Sequence, residues 1–167
     1  IFRIYYDGTL VKDGTLIIDP EYMTVISKLI DKGIIFTVCS GRQFSSEQKL
    51  FAPIKDKLMN ITDGGTVVRT PDRILKTYPM SNELWKDMCR MVRDELPACD
   101  YFAASPDLCY AEDGASPIFH RLRDSYGFEM REIDDLTKLE NDDIIKFTVY
   151  HPDSCEELCS PHFIPAW

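Results

Sequence analysis

The chain has 167 residues, a formal net charge of −9 at pH 7, 44% apolar residues and 28% charged residues. Its length suits one ordinary domain or two small ones, and its composition is typical of a soluble globular protein. The acidic balance argues against binding to nucleic-acid backbones, which depends on clustered Lys and Arg. No run of eighteen apolar residues occurs, so we expect no membrane contact. The six cysteines fit a reducing cytoplasm, because a chain of this size needs no disulfides.

The first eighty residues predict alternating strands and helices. Residues 1–6 form an apolar, β-prone run that ends in a turn at Asp7, and residues 11–18 fit a small hairpin flap. Asp19 and Pro20 mark the start of an amphipathic helix. After this helix, which Gly33 ends, we predict a buried strand at 34–39, a helix at 45–51 and short strands at 59–62 and 66–69.

This order of elements predicts a right-handed βαβ arrangement around a parallel sheet. In such sheets, ligands bind at the carboxyl edge, where the strands end. Asp7 follows the first strand and Ser40 follows the second. We therefore expect the side chains of Asp7 and Ser40 to share one cleft.

Residues 80–167 predict an α+β module with an antiparallel sheet. We therefore divide the chain into domains at 1–79 and 80–167. The predicted elements of the second domain are a helix at 81–95 that buries Leu84, Met88, Met91 and Val92, a hairpin at 101–104 and 108–111, a helix from Ser116 to Gly127, and strands at 128–132 and 144–150.

One group of side chains near the end of the sequence has the spacing of a metal site. His151, Cys155 and Cys159 recur every four residues, and His162 follows. One interpretation is a zinc site on a helix. The alternative is that the cysteines are small apolar core residues. We favour the second interpretation, because paired CxxC motifs are absent and Pro152 would lie in the first turn of the helix.

Residues 4–10, 39–42 and 61–65 resemble three successive motifs of Cof-type phosphatases in the haloacid dehalogenase (HAD) superfamily. The family pattern is a strand followed by Asp-x-Asp-Gly-Thr-Leu, a strand ending in Ser or Thr with Gly-Arg, and then Ile-x-x-Asn-Gly-Ala. The resemblance covers essentially the whole chain. It implies an α/β fold, in which a partial Rossmann-like parallel-sheet core carries an inserted α+β cap domain. It also implies a Mg²⁺-dependent phosphatase that acts on a small phosphorylated metabolite, such as a sugar phosphate, through an aspartyl-phosphate.

The resemblance assigns roles to individual residues. Asp7 matches the family's second Asp, which protonates the leaving oxygen and then activates water, and its backbone carbonyl would touch Mg²⁺. Gly8 and Thr9 would turn closely beneath the phosphate. Ser40 would donate a hydroxyl hydrogen bond to the phosphoryl oxygens, helped by backbone N–H groups near Gly41.

Two basic residues are candidate substrate contacts. Arg42 braces the site or reaches the substrate, although a surface ion pair is the alternative. Lys146 alternates with apolar neighbours in a predicted cap strand, where it contacts substrate or lies solvated on the outer face of the sheet.

The sequence also departs from the family pattern. The nucleophile's position holds Tyr5, and a tyrosine hydroxyl, which ordinarily titrates near pH 10, offers no carboxylate to phosphorus or Mg²⁺. The later Lys and Gly-Asp-x-x-Asn-Asp motifs have no match, so we expect this polypeptide alone not to be a competent phosphatase. Either it is part of a longer phosphatase, with an Asp absent between Tyr5 and Tyr6, or it is an inactive relative that binds phosphorylated ligands or other proteins.

Overall fold

The computed structural model describes residues 1–11, 17–140 and 143–166. These residues fall into two units. The first unit comprises Ile1–Tyr78 and Tyr126–Phe128, and the second comprises Pro79–Ser125 and Glu129–Trp167. Most of the hairpin flap predicted at residues 11–18 lies outside the described residues.

The first unit contains a five-stranded sheet. Its spatial order follows the chain order, β1-β2-β3-β4-β5. The first three strands are parallel, as the alternation of strands and helices predicted, and the last two are antiparallel to their neighbours. The fifth strand was not predicted, because it is a mostly exposed edge strand without an apolar run. The strands are β1 (Phe2–Tyr5), β2 (Phe36–Cys39), β3 (Met59–Thr62), β4 (Val67–Arg69) and β5 (Ile74–Thr77).

Two helices connect the parallel strands, α1 (Pro20–Asp31) and α2 (Phe44–Leu50). The start of α1 is capped as predicted, since the Asp19 carboxylate accepts a hydrogen bond from the Glu21 amide at 2.9 Å. Beyond α1, Gly33 has a φ of +80°, which ends the helix at little steric cost. Short 3₁₀ turns at Lys55–Lys57 and Asp63–Gly65 flank β3.

Tyr6 anchors the end of β1 in the core of the first unit. It is fully buried, and its ring meets the ring of Phe51 edge to face at 5.5 Å between centroids. Such an aromatic pair contributes about 0.5–1.5 kcal/mol beyond its buried area. Because Tyr6 is fixed in this way, the next residue, Asp7, begins its turn from a defined point. The other buried members of this core are Val11, Ile18, Ile26, Phe36, Val38, Ile54 and Leu58.

The second unit is built around a four-stranded sheet. Its order is β8-β7-β6-β9, and β6 pairs antiparallel with β7 and β9, as predicted. The pairing of β7 with β8 is parallel, which corrects the fully antiparallel prediction. The reason is the long helical connection between these strands, which returns the chain to the starting edge as a hairpin turn cannot. The elements are α3 (Asn82–Glu95), β6 (Asp100–Ala104), β7 (Cys109–Ala111), α4 (Pro117–His120) with a π turn at Arg121–Ser125, β8 (Met130–Glu132), a 3₁₀ turn at Leu136–Lys138, β9 (Lys146–Tyr150) and α5 (Cys155–Ala166).

The buried face of α3 differs from the prediction. The fully buried residues are Trp85, Cys89 and Val92, whereas Leu84, Met88 and Met91 are only partly buried. Val92 is buried as predicted, but Trp85 and Cys89 replace Leu84 and Met88 on the buried face. Trp85 packs into a core cluster, and its indole N–H donates to Asn82 Oδ1 at 3.1 Å.

No helix within the described ranges is both long and apolar enough to cross a membrane.

Candidate active site

The Asp7 turn follows directly from the buried end of β1. The amides of residues 9–11 all donate to the Tyr6 carbonyl at 2.9 to 3.1 Å, and the Gly8 amide donates to the Val11 carbonyl at 2.9 Å. Gly8 has a φ of +75°, a conformation that glycine adopts without steric cost. The turn is therefore closed by its own backbone, and the Asp7 side chain remains 44% exposed.

Ser40 follows β2, the strand next to β1 in the sheet. Because Tyr5 lies opposite Cys39 in parallel register, the residues after both strands leave the sheet at the same edge. The Ser40 amide donates to the Ile61 carbonyl at 3.0 Å, and its hydroxyl donates to Asp7 Oδ2 at 2.7 Å. The two side chains predicted to share a cleft are therefore in direct hydrogen-bond contact.

Arg42 closes the cluster on its other side. Its Nη2 donates to Asp7 Oδ1 at 2.7 Å, and its backbone amide donates to Ser40 Oγ at 3.1 Å. The side chain is only 11% exposed, and the guanidinium carbon lies 5.4 Å from the centroid of the Tyr6 ring. Arg42 therefore forms an ion pair with the partly exposed Asp7 carboxylate while its own side chain is largely buried, and its contact with substrate stays a prediction.

The remaining candidate residues differ in how the structure places them. Gly41 lies between Ser40 and Arg42, and a Cβ built on it meets no heavy atom within 4 Å. Thr9 is exposed in the Asp7 turn. Lys146 begins β9 in the second unit, opposite Ala104, so its contact with substrate stays a prediction.

The donor set at this site does not by itself fit Mg²⁺. Tyr5 ends β1 with 75% of its surface exposed and supplies a phenol where the family pattern has a carboxylate. Both oxygens of Asp7 already accept hydrogen bonds from protein donors. Within the part of the chain that the structure describes, no group of three or more His, Cys, Asp or Glu side chains is arranged to hold a metal ion. Mg²⁺ prefers carboxylate, phosphate and water oxygens in octahedral geometry.

The histidines and cysteines near α5 have separate partners. The Cys155 and Cys159 sulfurs lie 3.3 Å apart, and the buried Cys159 packs in an apolar cluster. His162 Nδ1 lies 2.7 Å from Glu95 Oε2, and His151 Nδ1 accepts a backbone amide hydrogen bond at 3.2 Å. These contacts support the interpretation that the cysteines are core residues.

The sequence analysis missed a buried polar pair beside the site. Glu47 of α2 is fully buried, and its Oε2 accepts a hydrogen bond from Asn60 Nδ2 of β3 at 2.7 Å. Burial raises the pKa of Glu47 well above its ordinary value, and the charges of Asp63 and Asp7 raise this pKa further, against the Asn60 hydrogen bond and the Arg42 charge. A Glu in a short polar helix is ordinarily expected to be exposed to solvent. The sequence feature that could have indicated this buried pair was the Asn within an otherwise apolar strand.

Comparison with known proteins agrees with this geometry. Residues 6–162 match the sequence profile of haloacid dehalogenase-like hydrolases. The chain therefore belongs to the haloacid dehalogenase-like hydrolase family. Among curated proteins, none matches this sequence.

Three solved structures illustrate the similarity. A crystal structure from Eubacterium rectale is 78% identical, with a TM-score of 0.84, over 99% of this chain and 62% of that one. A HAD phosphatase from Bacteroides thetaiotaomicron is 15% identical, with a TM-score of 0.69, over 96% of this chain and 59% of that one. A subclass IIB sugar phosphatase is 16% identical, with a TM-score of 0.63, over 89% of this chain and 56% of that one. The chain thus spans about three fifths of the length of these proteins.

Proposed function

We propose that the protein is a phosphatase that hydrolyses phosphomonoesters of small metabolites, such as sugar phosphates. In this proposal, residues 1–79 belong to the catalytic core and residues 80–167 to the cap domain. The observation that carries it is the 2.7 Å hydrogen bond between Ser40 and Asp7 at the carboxyl edge of the parallel strands. Membership of the hydrolase family supports hydrolysis, and the fold that the chain shares with a sugar phosphatase is the reason for naming sugar phosphates as the example.

The proposed chemistry assigns proton transfer to Asp7. In the whole protein, a nucleophilic carboxylate would attack phosphorus and displace the leaving oxygen, to which the Asp7 carboxyl group donates a proton. Water would then attack the aspartyl-phosphate and give a proton to the Asp7 carboxylate, which releases inorganic phosphate and regenerates both carboxyl groups. The Ser40 hydroxyl and the Arg42 guanidinium, which now donate to Asp7, would turn to the phosphoryl oxygens when the substrate binds. The backbone at Gly8, Thr9 and Gly41 would lie against the phosphate.

The proposed cofactor is Mg²⁺, with the Asp7 backbone carbonyl as one ligand. The described residues do not complete a Mg²⁺ site, so the metal requirement is proposed for the whole protein. Lys146 is proposed as a substrate contact from the cap. A cytoplasmic location is proposed because all six cysteines are free thiols.

A generic aryl phosphate provides the test. In the whole protein with an Asp at the nucleophile's position, release of inorganic phosphate should require Mg²⁺, stop when EDTA is added, and fall sharply in Asp7→Asn. Turnover that persists in EDTA, or that Asp7→Asn leaves unchanged, would contradict the proposal.

A second candidate function is the binding of phosphorylated ligands without cleavage. The observation that favours it is Tyr5, which places a phenol at the nucleophile's position. Binding of inorganic phosphate to the purified chain, with no turnover of any phosphomonoester at saturating Mg²⁺, would favour this candidate over the enzyme.

A further inference from the structure

The Glu47–Asn60 pair is incompletely hydrogen-bonded. Both residues are fully buried, and one hydrogen bond joins them, from Asn60 Nδ2 to Glu47 Oε2 at 2.7 Å. The other two oxygens, Glu47 Oε1 and Asn60 Oδ1, are also buried and have no hydrogen-bond partner within the described residues. A buried polar atom left without a partner costs about 1–3 kcal/mol, so two such atoms on adjoining side chains need an explanation.

The pair lies where α2 and β3 flank the Ser40–Arg42 loop. The Ser40 amide donates to the Ile61 carbonyl at 3.0 Å, one residue after Asn60. The Asp63 amide donates to the Arg42 carbonyl at 2.9 Å, and the Gly64 amide donates to the Ser40 carbonyl at 3.1 Å. These three bonds fix the loop to the end of β3 through the backbone.

Glu47 adds a side-chain connection to these three bonds. It lies one turn into α2, the helix that the loop enters, and its amide donates to the Gln43 carbonyl at 3.3 Å. Its bond to Asn60 therefore joins the first turn of α2, the helix that follows the loop, to β3.

The surroundings of Glu47 disfavour a negative charge. Asp63 and Asp7 are the nearby acids, Arg42 is the nearby base, and Glu47 in turn raises the pKa values of Tyr6 and Cys39. An ionised carboxylate with one hydrogen bond, out of contact with water, carries a large desolvation cost. A neutral carboxylic acid has an O–H that can donate to an amide oxygen, while its other oxygen accepts from the amide N–H.

We propose that Glu47 is a neutral carboxylic acid that pairs twice with the Asn60 amide, and that this pair positions the Ser40–Arg42 loop. The second bond runs from the Glu47 Oε1 hydroxyl to Asn60 Oδ1, and it gives both unpartnered oxygens a partner. The role of the loop in binding a phosphoryl group rests on the proposed function, whereas the charge state of Glu47 does not. A neutral pair holds the loop without adding a third negative charge beside Asp7 and Asp63, where the charge would repel an incoming phosphate.

Three variants separate this pair from an ordinary buried contact. Glu47→Gln replaces the acid with an amide, which can form the same two hydrogen bonds with Asn60. Glu47→Leu keeps a side chain of similar size and leaves both polar atoms of Asn60 without a partner. Glu21→Gln removes an exposed carboxylate from the same unit and serves as the control.

The charge state is measured first, by infrared spectroscopy at pH 7. We expect the wild type to show the carbonyl stretch of a protonated carboxylic acid. Glu47→Gln should lack this band, and Glu21→Gln should retain it. The same band in wild type and Glu47→Gln, or no such band in wild type, would overturn the proposal even if Glu47→Leu fails to fold.

Stability as a function of pH gives a second readout. Because the pKa of Glu47 is raised in the folded state, its stabilising contribution is complete below the unfolded value of about 4.3 and is lost as pH rises towards the folded value. The wild type should therefore lose stability relative to Glu47→Gln as pH rises above about 4.3, and Glu21→Gln should follow the wild type. If the difference in the free energy of unfolding between wild type and Glu47→Gln does not change with pH, the proposal is contradicted.

Binding of inorganic phosphate tests the positioning role. Glu47→Gln should bind phosphate about as tightly as wild type, and Glu47→Leu about tenfold more weakly. Equal affinity in Glu47→Leu and wild type would refute positioning. If wild type and Glu47→Gln both fail to bind phosphate, the proposed function fails, whereas the acid–amide pair is still decided by the infrared band.

Discussion

The Ser40 hydroxyl donates to one oxygen of the Asp7 carboxylate at 2.7 Å, while Arg42 donates to the other oxygen at 2.7 Å. The two donors that we assign to a phosphoryl group are thus bound to the residue that we assign to proton transfer. A phosphoryl anion that enters this site must compete with the Asp7 carboxylate for the same donors. Binding and catalysis should therefore respond in opposite directions to the loss of the Asp7 charge.

The roles of Asp7 and Ser40 can be ranked by turnover of an aryl phosphate in Mg²⁺, measured on the whole protein with an Asp at the nucleophile's position. Asp7→Asn should lower the rate about 10²–10⁴-fold, because it removes general acid–base catalysis. Ser40→Ala should raise the activation free energy by about 1.5–3 kcal/mol, the contribution of one hydrogen bond to a charged group. A larger loss in Ser40→Ala than in Asp7→Asn would show that the two roles are reversed.

Gly41→Ala tests whether the anion approaches the loop backbone. An added Cβ at Gly41 meets open space, and its φ is not left-handed, so stability should stay the same or rise by about 0.4–1 kcal/mol. Phosphate affinity should fall, because the methyl group would occupy the space of the anion. Gly33→Ala is the contrast: its φ of +80° makes the change destabilising, but phosphate affinity should stay unchanged. Unchanged phosphate binding in Gly41→Ala would exclude close approach at this residue.

Tyr5→Asp tests the departure at the nucleophile's position. Because Tyr5 is 75% exposed, the substitution should alter stability by no more than about 0.5 kcal/mol. It restores a second carboxylate near Asp7, so calorimetry should detect tighter Mg²⁺ binding than in wild type. Tyr5→Asn, which adds a side chain of the same size without charge, is the control. Equal Mg²⁺ affinity in both variants would remove this position from the metal site.

In the second unit, protonation of Asp135 should account for part of the loss of folding stability at low pH. Hydrogen bonds from Thr137 and then from Arg93 lower the pKa of Asp135. Because its pKa is lower in the folded state than in the unfolded state, ionised Asp135 stabilises the fold at pH values above the unfolded pKa of about 3.9. This stabilisation is lost as pH falls below that value. Asp135→Asn should therefore flatten the acid side of the stability curve, as followed by tryptophan fluorescence. The exposed neighbour provides the control, since Asp134→Asn should leave the curve unchanged. Equal curves for wild type and Asp135→Asn would contradict the assignment.

The parallel strands and the contact between Asp7 and Ser40 were predictable from sequence, because both follow from local patterns. Apolar runs, the Asp19 cap and Gly33 mark the elements one by one, and parallel pairing brings the two strand ends together. The parallel pairing of β7 with β8 was not predictable in this way, because it depends on the path of the connection between them.

The parts of the site that sequence did not predict depend on tertiary contacts. Glu47 and Asn60 are thirteen residues apart, and nothing local distinguishes a buried Glu in a short helix from an exposed one. The side chain of Arg42 was assigned to one of several roles, because its burial against Tyr6 depends on how β1 and β2 pack.

The most direct test of the account is a titration with inorganic phosphate, followed through the backbone amide NMR signals of wild type, Ser40→Ala and Asp7→Asn. We predict that phosphate shifts the amides of Ser40, Gly41 and Arg42 in wild type. Ser40→Ala should bind it about tenfold more weakly, through the loss of a charge-assisted hydrogen bond. Asp7→Asn should bind phosphate more tightly than wild type, because the competing carboxylate is gone. Phosphate shifts outside this loop, or weaker binding in Asp7→Asn, would contradict a phosphoryl site formed by Asp7, Ser40 and Arg42.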